Sequence, residues 1–523
     1  MKLCPVRMLR MLSKAVLAAG LAGMVPAFAD EARYEVWITD QTNTKGLSAT
    51  VLNGTHGGFI RVYNGADLET EPPINNPLNL DVSDLFPNAL AGTGSNLVRV
   101  HGALPSPNMK YMAAAFVVSG HVAIIDGATK APKALFRTTG TTTGRQNHMG
   151  FWTPDGKHLI LANQNGRLLE RIDYNSVTDT FTFNAAATLD LVGGAGRITA
   201  QPVADPSLPG GAVSGVVADG QSTLTPNGVL KQGGAAPNDR PNNSVICPIV
   251  TNDNVHAYVT LAGGGLFVVD ITTTPMSIVA EYGAAGVPAA GCGGMQDGTF
   301  VFMDDGTSAA TPDLSRFFVF RFPTNYPVAP AFNAPNTPMP TVAYSDPDNL
   351  KNCHTDPTCA EDHNRDAHGM GMTKARGHHT RYLHQFDRIR NNVEVFNTST
   401  LEHVGTYYLT TKDGTATGAP GTACGTTVGT TAINDPTPDL LDISPQGHRF
   451  YVALRGPFPL TISHAADGSC PGLGVVKLKS GGKRGALQYA LPTTWLNYDG
   501  SRNISDPHGS AVRVIENEDE DGE

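Results

Sequence analysis

A short pattern of apolar and polar positions recurs along the chain. A strand-like start leads into a turn of the Pro-Asp-Gly-Lys type, an apolar run, a turn with Gly or Asn, and a second apolar run that ends near Asp or Asn. The clearest copy starts at His148, has its turn at 154–157 and its apolar runs at 159–162 and 168–173. Pro and Gly favour the turns, and short apolar runs bounded by such turns form β-strands. Further copies of the same pattern span 101–126, 251–270, 300–320, 381–397 and 444–478.

The two ends of the chain carry the parts of one more copy. Residues 34–40 and 59–64 resemble second and third strands with no first strand before them, and 506–514 resembles a first strand with nothing after it. Repeats of this kind form blades around a central axis, and pairing of the two ends would close the ring and remove its exposed edges. The pattern predicts an all-β fold, a seven-bladed β-propeller closed by its N- and C-terminal strands, as a single domain over 30–515.

The predicted blades are longer than a minimal blade. They average about 70 residues, against roughly 40–45 for a simple four-stranded repeat. The excess lies in three insertions rich in Gly, Pro, Ala, Thr and Asn, at 193–243, 324–367 and 410–436. Long loops on a rigid scaffold are common places for binding sites.

One copy carries a recognisable signature. Tyr258-Val259-Thr260 is followed by Phe267-Val268-Val269-Asp270, with weaker echoes at 450–452 and 122–126. In this respect the chain resembles the YVTN-type, lactonase-like (quinoprotein amine dehydrogenase-like) propeller family, although Leu261 replaces the fourth residue of the signature, Asn. The resemblance implies a seven-bladed, usually periplasmic protein, and says little about chemistry because this fold hosts many functions.

Composition agrees with a turn-rich β protein. The 523 residues include 57 Gly and 37 Pro, and only 16% are charged, against roughly 25% in an average soluble domain. Long helical arrays and coiled coils are therefore disfavoured. The 40% of hydrophobic residues is enough to build a core, so the chain as a whole is not expected to be disordered.

The ends of the chain indicate export. Residues 1–29 combine an n-region with Lys2, Arg7, Arg10 and Lys14, a short apolar core, and an Ala27-Phe28-Ala29 cleavage site, as in a Sec signal peptide. Removal of these four basic residues takes the net charge from −10 to −14, which disfavours a nucleic-acid partner. No later segment is long and apolar enough to predict a membrane span. Residues 516–523 are expected to form a disordered acidic tail, and the protein to be periplasmic or secreted.

Cysteine content agrees with an oxidising compartment. Six cysteines remain after the signal peptide, and an even number in an exported protein indicates disulfides. Of the 15 possible connectivities, spacing favours Cys353–Cys359 and Cys424–Cys470, and Cys247 would then pair with Cys292 by exclusion.

Alignment of the copies on their turns places several histidines at one position. His101 lies seven residues before Asn108, His148 seven before Asp155, and Asp439 seven before Gln446. His508 takes the same position in the closing strand, and His368 takes it with a longer spacing to its turn. Because first strands line the central channel of a propeller, these side chains are expected to converge on the axis.

Four imidazoles and a carboxylate in one place would suit a transition metal. The predicted ligands are His101, His148, His368, His508 and Asp439, with copper the favoured ion and zinc, iron, nickel or calcium possible. The alternative is a polar, water-filled channel that binds nothing. The corresponding positions on two other blades, Ile246 and Ala290, are apolar.

A second concentration of histidine lies at 353–384. Six of the 16 histidines fall there, at 354, 363, 368, 378, 379 and 384. In a regular strand His368, Met370 and Met372 would share one face, and a His/Met face suits copper. The alternative for the loop histidines is ordinary polar surface on a loop closed by Cys353–Cys359.

Three functions follow from these observations. The first is an exported metalloprotein, an oxidoreductase that uses a His-ligated transition metal at the propeller axis. The second is a non-catalytic propeller that binds a protein partner or a polymer through its loops. The third is a lactonase-type hydrolase with Asp439, His508 and a divalent ion. Neither the substrate nor a partner is identified by the sequence, and phosphate-binding and covalent-haem motifs are absent from it.

Overall fold

The computed structural model describes most of the chain. The described residues are 33–44, 57–219, 243–284, 286–288, 291–307, 312–331, 338, 340–373, 380–419, 424, 434–462, 465–496 and 502–515. They belong to one compact unit that begins at Ala32. The predicted signal peptide (1–29), the predicted acidic tail (516–523) and Ala290 lie outside the described residues.

Seven sheets form the seven blades of a β-propeller, and the four blade strands of each sheet pair antiparallel. In blade 2 a further strand, Gly211–Ser214, is added parallel to Thr180–Asn184. In blades 1 to 7 the first, innermost strands are Val100–Pro105, Asn147–Trp152, Val245–Val250, Gly294–Asp297, Ala367–Met372, Pro438–Ile443 and Pro507–Ile515. The second strands are Tyr111–Phe116, His158–Asn163, His256–Leu261, Phe300–Asp305, Tyr382–Asp387, Arg449–Leu454 and Arg33–Asp40. The third strands are His121–Asp126, Leu168–Asn175, Leu266–Asp270, Phe318–Pro323, Asn392–Asn397, Gly472–Lys479 and Phe59–Asn64. The outer strands are Pro132–Arg137, Thr180–Asn184, Ser277–Tyr282, Thr341–Ser345, His403–Tyr408, Arg484–Pro492 and Leu78–Asp81.

Blade 7 closes the ring. Its inner strand comes from the C-terminal end and its three other strands from the N-terminal end. Arg33–Asp40 pairs antiparallel with Pro507–Ile515, which places Tyr34 opposite Val514 and Ile38 opposite Ser510. The predicted seven-bladed, all-β propeller, the architecture implied by the YVTN-type resemblance, is confirmed.

The turn residues of the repeat act through their side chains. Between first and second strands, the hydroxyl of Thr153 donates to Asp155, and that of Thr251 donates to Asp253, within the turn. After the third strand, the carboxylate of Asp126 accepts hydrogen bonds from the backbone N–H groups of Ala128 and Thr129. Such bonds satisfy turn donors locally, which explains why Asp or Asn recurs at these places.

Apolar faces of adjacent blades pack against each other. Between blades 2 and 3, for example, Ile160 and Leu169 share one buried cluster with Val259 and Phe267. The short helices are Gly65–Glu69, Val82–Leu85 and Ala89–Thr93, with 3₁₀ turns at Ala185–Ala187 and Ser480–Gly482. Short additional strands occur at Gly140–Thr141, Leu189–Asp190, Ile198–Ala200, Val203–Ala204, Gly211–Ser214, Trp495–Leu496 and Arg502–Asn503.

Three disulfides join the predicted pairs: Cys247–Cys292, Cys353–Cys359 and Cys424–Cys470. This connectivity is confirmed, and it agrees with an oxidising compartment. Among the described residues, no helix is both long and apolar enough to cross a membrane.

Candidate metal centre

The inner strands share an irregularity that directs side chains to the axis. In six of the seven inner strands the pairing register with the second strand shifts close to the start of the strand. A β-bulge of this kind re-aims a side chain and is frequent beside functional sites. The residues at the bulges are the ones that the sequence alignment selected: His101, His148, Ile246, His368, Asp439 and His508.

Polar and apolar bulge residues occupy different sides of the axis. The polar ones lie on five consecutive blades, from blade 5 through blade 7 to blade 2. On the other side, Ile246 packs against an apolar cluster that contains Met149, Cys247 and Cys292. The axis therefore has a polar half and an apolar half.

Three side chains of the polar half converge, and we call His368, Asp439 and His508 the axial triad. One ligand atom from each lies within 4.8 Å of the others, and all three residues are buried. Oδ1 of Asp439 is 2.9 Å from Nε2 of His368 and 3.7 Å from Nε2 of His508. Nε2 of His508 has no hydrogen-bond partner, and the contact of His368 with Asp439 has the length of an ion pair but not the geometry of a hydrogen bond. Burial of polar atoms without partners is costly, so the triad is a candidate ligand site.

The other oxygen of Asp439 is held by arginine. Nη1 of Arg455 donates to Oδ2 at 2.7 Å, and Nη1 of Arg388 lies 3.6 Å from it. Arg455 also binds both oxygens of Asp506, and Arg388 binds Asp366. This buried network therefore contains three carboxylates, those of Asp366, Asp439 and Asp506, and two guanidinium groups. A cation at the triad would balance the remaining negative charge.

Burial and neighbouring groups set the charge of the triad. Burial alone would raise the pKa of Asp439, but interactions with His508, His368 and Arg388 hold that pKa well below its usual range. Burial lowers the pKa of His508 well below its usual range. The triad therefore offers an ionised carboxylate, the form of this group that binds metals.

Backbone contacts orient the His508 ring. Its Nδ1–H donates to the backbone carbonyl of His101 at 2.9 Å, which leaves Nε2 with a free lone pair directed at Asp439. A second-shell bond of this kind is typical of metal-binding histidines.

His101 is the nearest further imidazole. Its ring stacks on that of His508 with the centroids 3.5 Å apart, and its Nε2 is buried without a hydrogen-bond partner. Its Nδ1 lies 2.6 Å from the side-chain nitrogen Nε2 of Gln41, whose Oε1 accepts a hydrogen bond from the hydroxyl of Thr461. Because this amide nitrogen donates to Nδ1, the neutral His101 ring carries its proton on Nε2. Burial lowers the pKa of His101 well below its usual range.

A loop segment of blade 6 crosses the start of the inner strands. The backbone N–H of Leu460 donates to Asp506, and the carbonyl of Leu460 accepts from Arg99. The carbonyl of Thr461 accepts from Arg455. This segment thus joins blades 6, 7 and 1 above the triad.

His148 has a different environment from the triad. Its ring lies 4.4 Å from that of His101, but its Nδ1 faces the sulfur atoms of Cys247 and Cys292, at 4.0 and 3.8 Å. Burial lowers its pKa to about 3. Among the five predicted ligands, three form the triad, His101 stacks beside it, and His148 lies next to the disulfide.

The predicted His/Met face is wrong. Gly369 has φ +75° and forms the bulge of Ala367–Met372, so the simple alternation of a regular strand is lost. His368 points to Asp439, whereas Met370 and Met372 pack in an apolar cluster with Phe302.

The histidines at 353–384 do not form one site in the described part of the chain. His384 is buried against Phe450 and contacts the hydroxyl of Tyr407. His354 and His363 lie near each other on the surface loop, with ring centroids 6.3 Å apart. His378 and His379 lie outside the described residues.

Several residues around the triad were missed from the sequence. Arg388 and Arg455 each follow a second strand, and Asp506 directly precedes the closing strand. A charged residue at the end of a buried strand is a signal that could have found them, because such a charge needs a partner near the axis.

Comparisons with known proteins were made at the level of families, sequences and structures. No protein-family profile and no curated protein matches the chain. A solved structure of a Lactobacillus plantarum protein is similar at a TM-score of 0.47 and 12% identity, over 92% of this chain and 100% of that one. The Pseudomonas aeruginosa periplasmic gluconolactonase is similar at 0.46 and 11% identity, over 93% and 100%. A putative 6-phosphogluconolactonase from Bacteroides fragilis gives 0.44 and 12% identity, over 94% and 100%. Similarity at these values says nothing about activity, and the strand topology alone establishes the fold.

Proposed function

We propose that this protein binds a transition metal ion at the propeller axis, through Nε2 of His368, Oδ1 of Asp439 and Nε2 of His508. The observation that carries the proposal is the convergence of these three buried atoms, none of which makes a hydrogen bond of normal geometry. Tetrahedral ligands with metal–ligand bonds near 2.0 Å lie about 3.3 Å apart. The separations of 2.9 and 3.7 Å from Oδ1 to the two imidazole nitrogens bracket this value.

The donor set narrows the choice of ion. Two imidazoles and a carboxylate suit zinc, copper, nickel or iron. Calcium fits poorly, since it prefers six to eight oxygen ligands. His101 would supply the nearest additional imidazole, and Arg455 would fix the carboxylate through its second oxygen. Copper with redox chemistry, the function favoured from the sequence, is one member of this set.

Metal titration of the purified, chelator-treated protein tests the proposal. We expect one equivalent of Zn²⁺ or Cu²⁺ to bind and to raise the melting temperature, by about 2.7 kcal/mol of stabilisation at a free metal concentration of 100 times Kd. The variant His368→Ala/His508→Ala should lose this equivalent. The matched control His354→Ala/His363→Ala removes two surface histidines and should retain it.

Two results would overturn the proposal: binding below about a tenth of an equivalent for every ion of the donor set, or full binding by His368→Ala/His508→Ala. Electron paramagnetic resonance of the Cu²⁺ form would give an independent readout, because coordinated imidazole nitrogens produce hyperfine splitting that the double variant should lack.

The other two functions stay predictions and are separable by the same protein preparations. A propeller that binds a partner through its loops needs no axial ligands, so His368→Ala/His508→Ala should leave its binding unchanged. A hydrolase that uses Asp439 and His508 with a divalent ion should open lactones in a chelator-sensitive reaction. Lactone opening that resists chelators would count against the latter.

A further inference from the structure

A second group of possible ligands lies on the apolar half of the axis. It consists of His148, Cys247 and Cys292, all buried, and we call it the redox group. Nδ1 of His148 lies 4.0 Å from Sγ of Cys247 and 3.8 Å from Sγ of Cys292. Three blades contribute, because His148 is on blade 2, Cys247 on blade 3 and Cys292 directly before the inner strand of blade 4.

The redox group is separate from the axial triad. It shares no residue with the triad, and the ring of His148 lies 4.4 Å from that of His101, which stacks on His508. A disulfide that only ties two blades together has no need of an imidazole nitrogen facing both sulfurs.

We propose that reduction of the Cys247–Cys292 disulfide creates a metal site in which both thiolates and His148 bind one thiophilic ion such as Zn²⁺ or Cd²⁺. Tetrahedral coordination with bonds of about 2.3 Å to sulfur and 2.0 Å to nitrogen requires sulfur–nitrogen separations of about 3.5 Å. The observed values of 3.8 and 4.0 Å are close to this before any rearrangement. Only the two sulfurs must move apart, from a covalent bond to about 3.8 Å.

The chemistry is balanced by thiol–disulfide exchange. A dithiol reductant attacks one sulfur, the Cys247–Cys292 bond breaks, and the two electrons and two protons of the dithiol leave two cysteine thiols and an oxidised reductant. When a divalent ion binds, each thiol releases its proton to solvent and neutral His148 supplies a lone pair. Reoxidation by a disulfide of the same class re-forms the bond and releases the ion. The metal site is thus absent from the oxidised protein and present in the reduced protein.

Cadmium is a suitable probe because thiolate ligands give it an ultraviolet charge-transfer band that imidazole and carboxylate ligands do not. The mature protein would be reduced with a phosphine, freed of the reductant under argon, and titrated with Cd²⁺ beside an oxidised sample. We expect one equivalent with the charge-transfer band in the reduced protein and no such band in the oxidised protein. Cys247→Ser/Cys292→Ser should lose the band.

Controls separate this site from the other cysteines and from the axial triad. Cys353→Ser/Cys359→Ser and Cys424→Ser/Cys470→Ser should keep the band, because the redox group is intact in both. His368→Ala/His508→Ala should also keep it, so failure of the axial site and failure of the redox group give different results. His148→Gln retains the disulfide in the oxidised state and should bind Cd²⁺ at least tenfold more weakly after reduction.

Two outcomes would overturn the proposal: no charge-transfer band in reduced protein whose circular dichroism shows an intact fold, or an unchanged band in Cys247→Ser/Cys292→Ser. Should the double serine variant fail to fold, His148→Gln decides, and an affinity equal to that of the reduced wild type would refute the role of the imidazole.

Discussion

Two buried polar clusters of this propeller differ in how completely their hydrogen bonds are made. One surrounds Arg365, just before the inner strand of blade 5, and the other is the axial triad. Both place charged groups away from solvent, where an unsatisfied charge is costly. Their difference separates a cluster that supports the fold from one that is arranged for a ligand.

The Arg365 cluster is closed. All five N–H groups of its guanidinium have acceptors: Asp387, Tyr344, Asp346, Asn392 and Glu394. The guanidinium also lies 3.8 Å over the ring of Phe317. Burial alone would lower the pKa of Arg365, but the carboxylates of Asp387 and Glu394 raise it well above its usual range. No donor of this guanidinium is left for a ligand.

The axial triad is open. Arg455 binds one oxygen of Asp439, but Oδ1 and the Nε2 atoms of His368 and His508 have no hydrogen-bond partner. In a cluster that only supports the fold, such atoms would lower stability. Here all three converge on one point, as the ligand atoms of a metal site do. If the comparison is correct, mutations in the closed cluster should cost stability, and mutations in the open one should cost metal binding.

The largest effect on stability is expected for Arg365→Met. It leaves three buried carboxylates without their cation, and loss of one partner from a buried ionic cluster costs about 3–5 kcal/mol. Denaturant unfolding monitored by tryptophan fluorescence measures it. The matched control is Arg484→Met at an exposed position, where the change should stay within about 0.5 kcal/mol. The folded fraction of Arg365→Met should still bind metal at the triad. A loss below about 1 kcal/mol would contradict the structural role of the closed cluster.

A pH-dependent effect should come from Glu394 in the same cluster. Burial alone would raise its pKa, but hydrogen bonds with His403 and the charge of Arg365 lower it from 4.5 to about 2. A carboxyl whose folded pKa is depressed contributes stability above its unfolded pKa and loses that contribution as the pH falls through the folded value. The contribution is about 3 kcal/mol above pH 4.5, of which about 2 kcal/mol should be lost by pH 3.

Comparison with Glu394→Gln isolates this contribution. Unfolding free energies of the wild type and the variant would be measured from pH 6 to pH 3. The wild-type value should fall by about 2 kcal/mol more than that of the variant over this range. Parallel curves would show that Glu394 is not ionically held by Arg365 in the folded protein.

The sequence predicted the fold well because the fold is repeated. Turn residues such as Pro154 and Gly156 recur at fixed offsets, and each copy confirms the others. The inward position of His101 and His148 follows from alignment of the copies on these turns alone. Ring closure by 34–40 and 506–514 followed from the incomplete copies at the two ends.

The details of the site could not be predicted in the same way. A bulge depends on backbone geometry, so the alternation rule failed at Gly369 and wrongly grouped His368 with Met370. His148 lies beside a disulfide, and His508 lies beside Asp439. Both contacts depend on how blades that are far apart in sequence pack around the axis. Arg388 and Arg455, which contact Asp439, directly follow second strands. The repeat pattern does not mark these positions, and only the presence of a charge at the end of a buried strand indicates them.

The smallest effect on stability is expected at the axial triad of the metal-free protein. His508→Leu removes a buried, unpartnered Nε2 together with one hydrogen bond to the His101 carbonyl. Replacement of a poorly satisfied polar group by an apolar one of similar size is nearly neutral, so the unfolding free energy should change by less than about 1 kcal/mol. His256→Leu is the matched control, since both ring nitrogens of this buried histidine are bonded, to Asp253 and to the carbonyl of Pro327. It should lose about 1.5–3 kcal/mol of unfolding free energy.

With saturating metal the two variants should differ in the opposite sense. His508→Leu should lose the stabilisation that bound metal provides, whereas His256→Leu should keep it. A metal-free His508→Leu as unstable as His256→Leu would show that the axial triad, like the closed cluster, supports the fold.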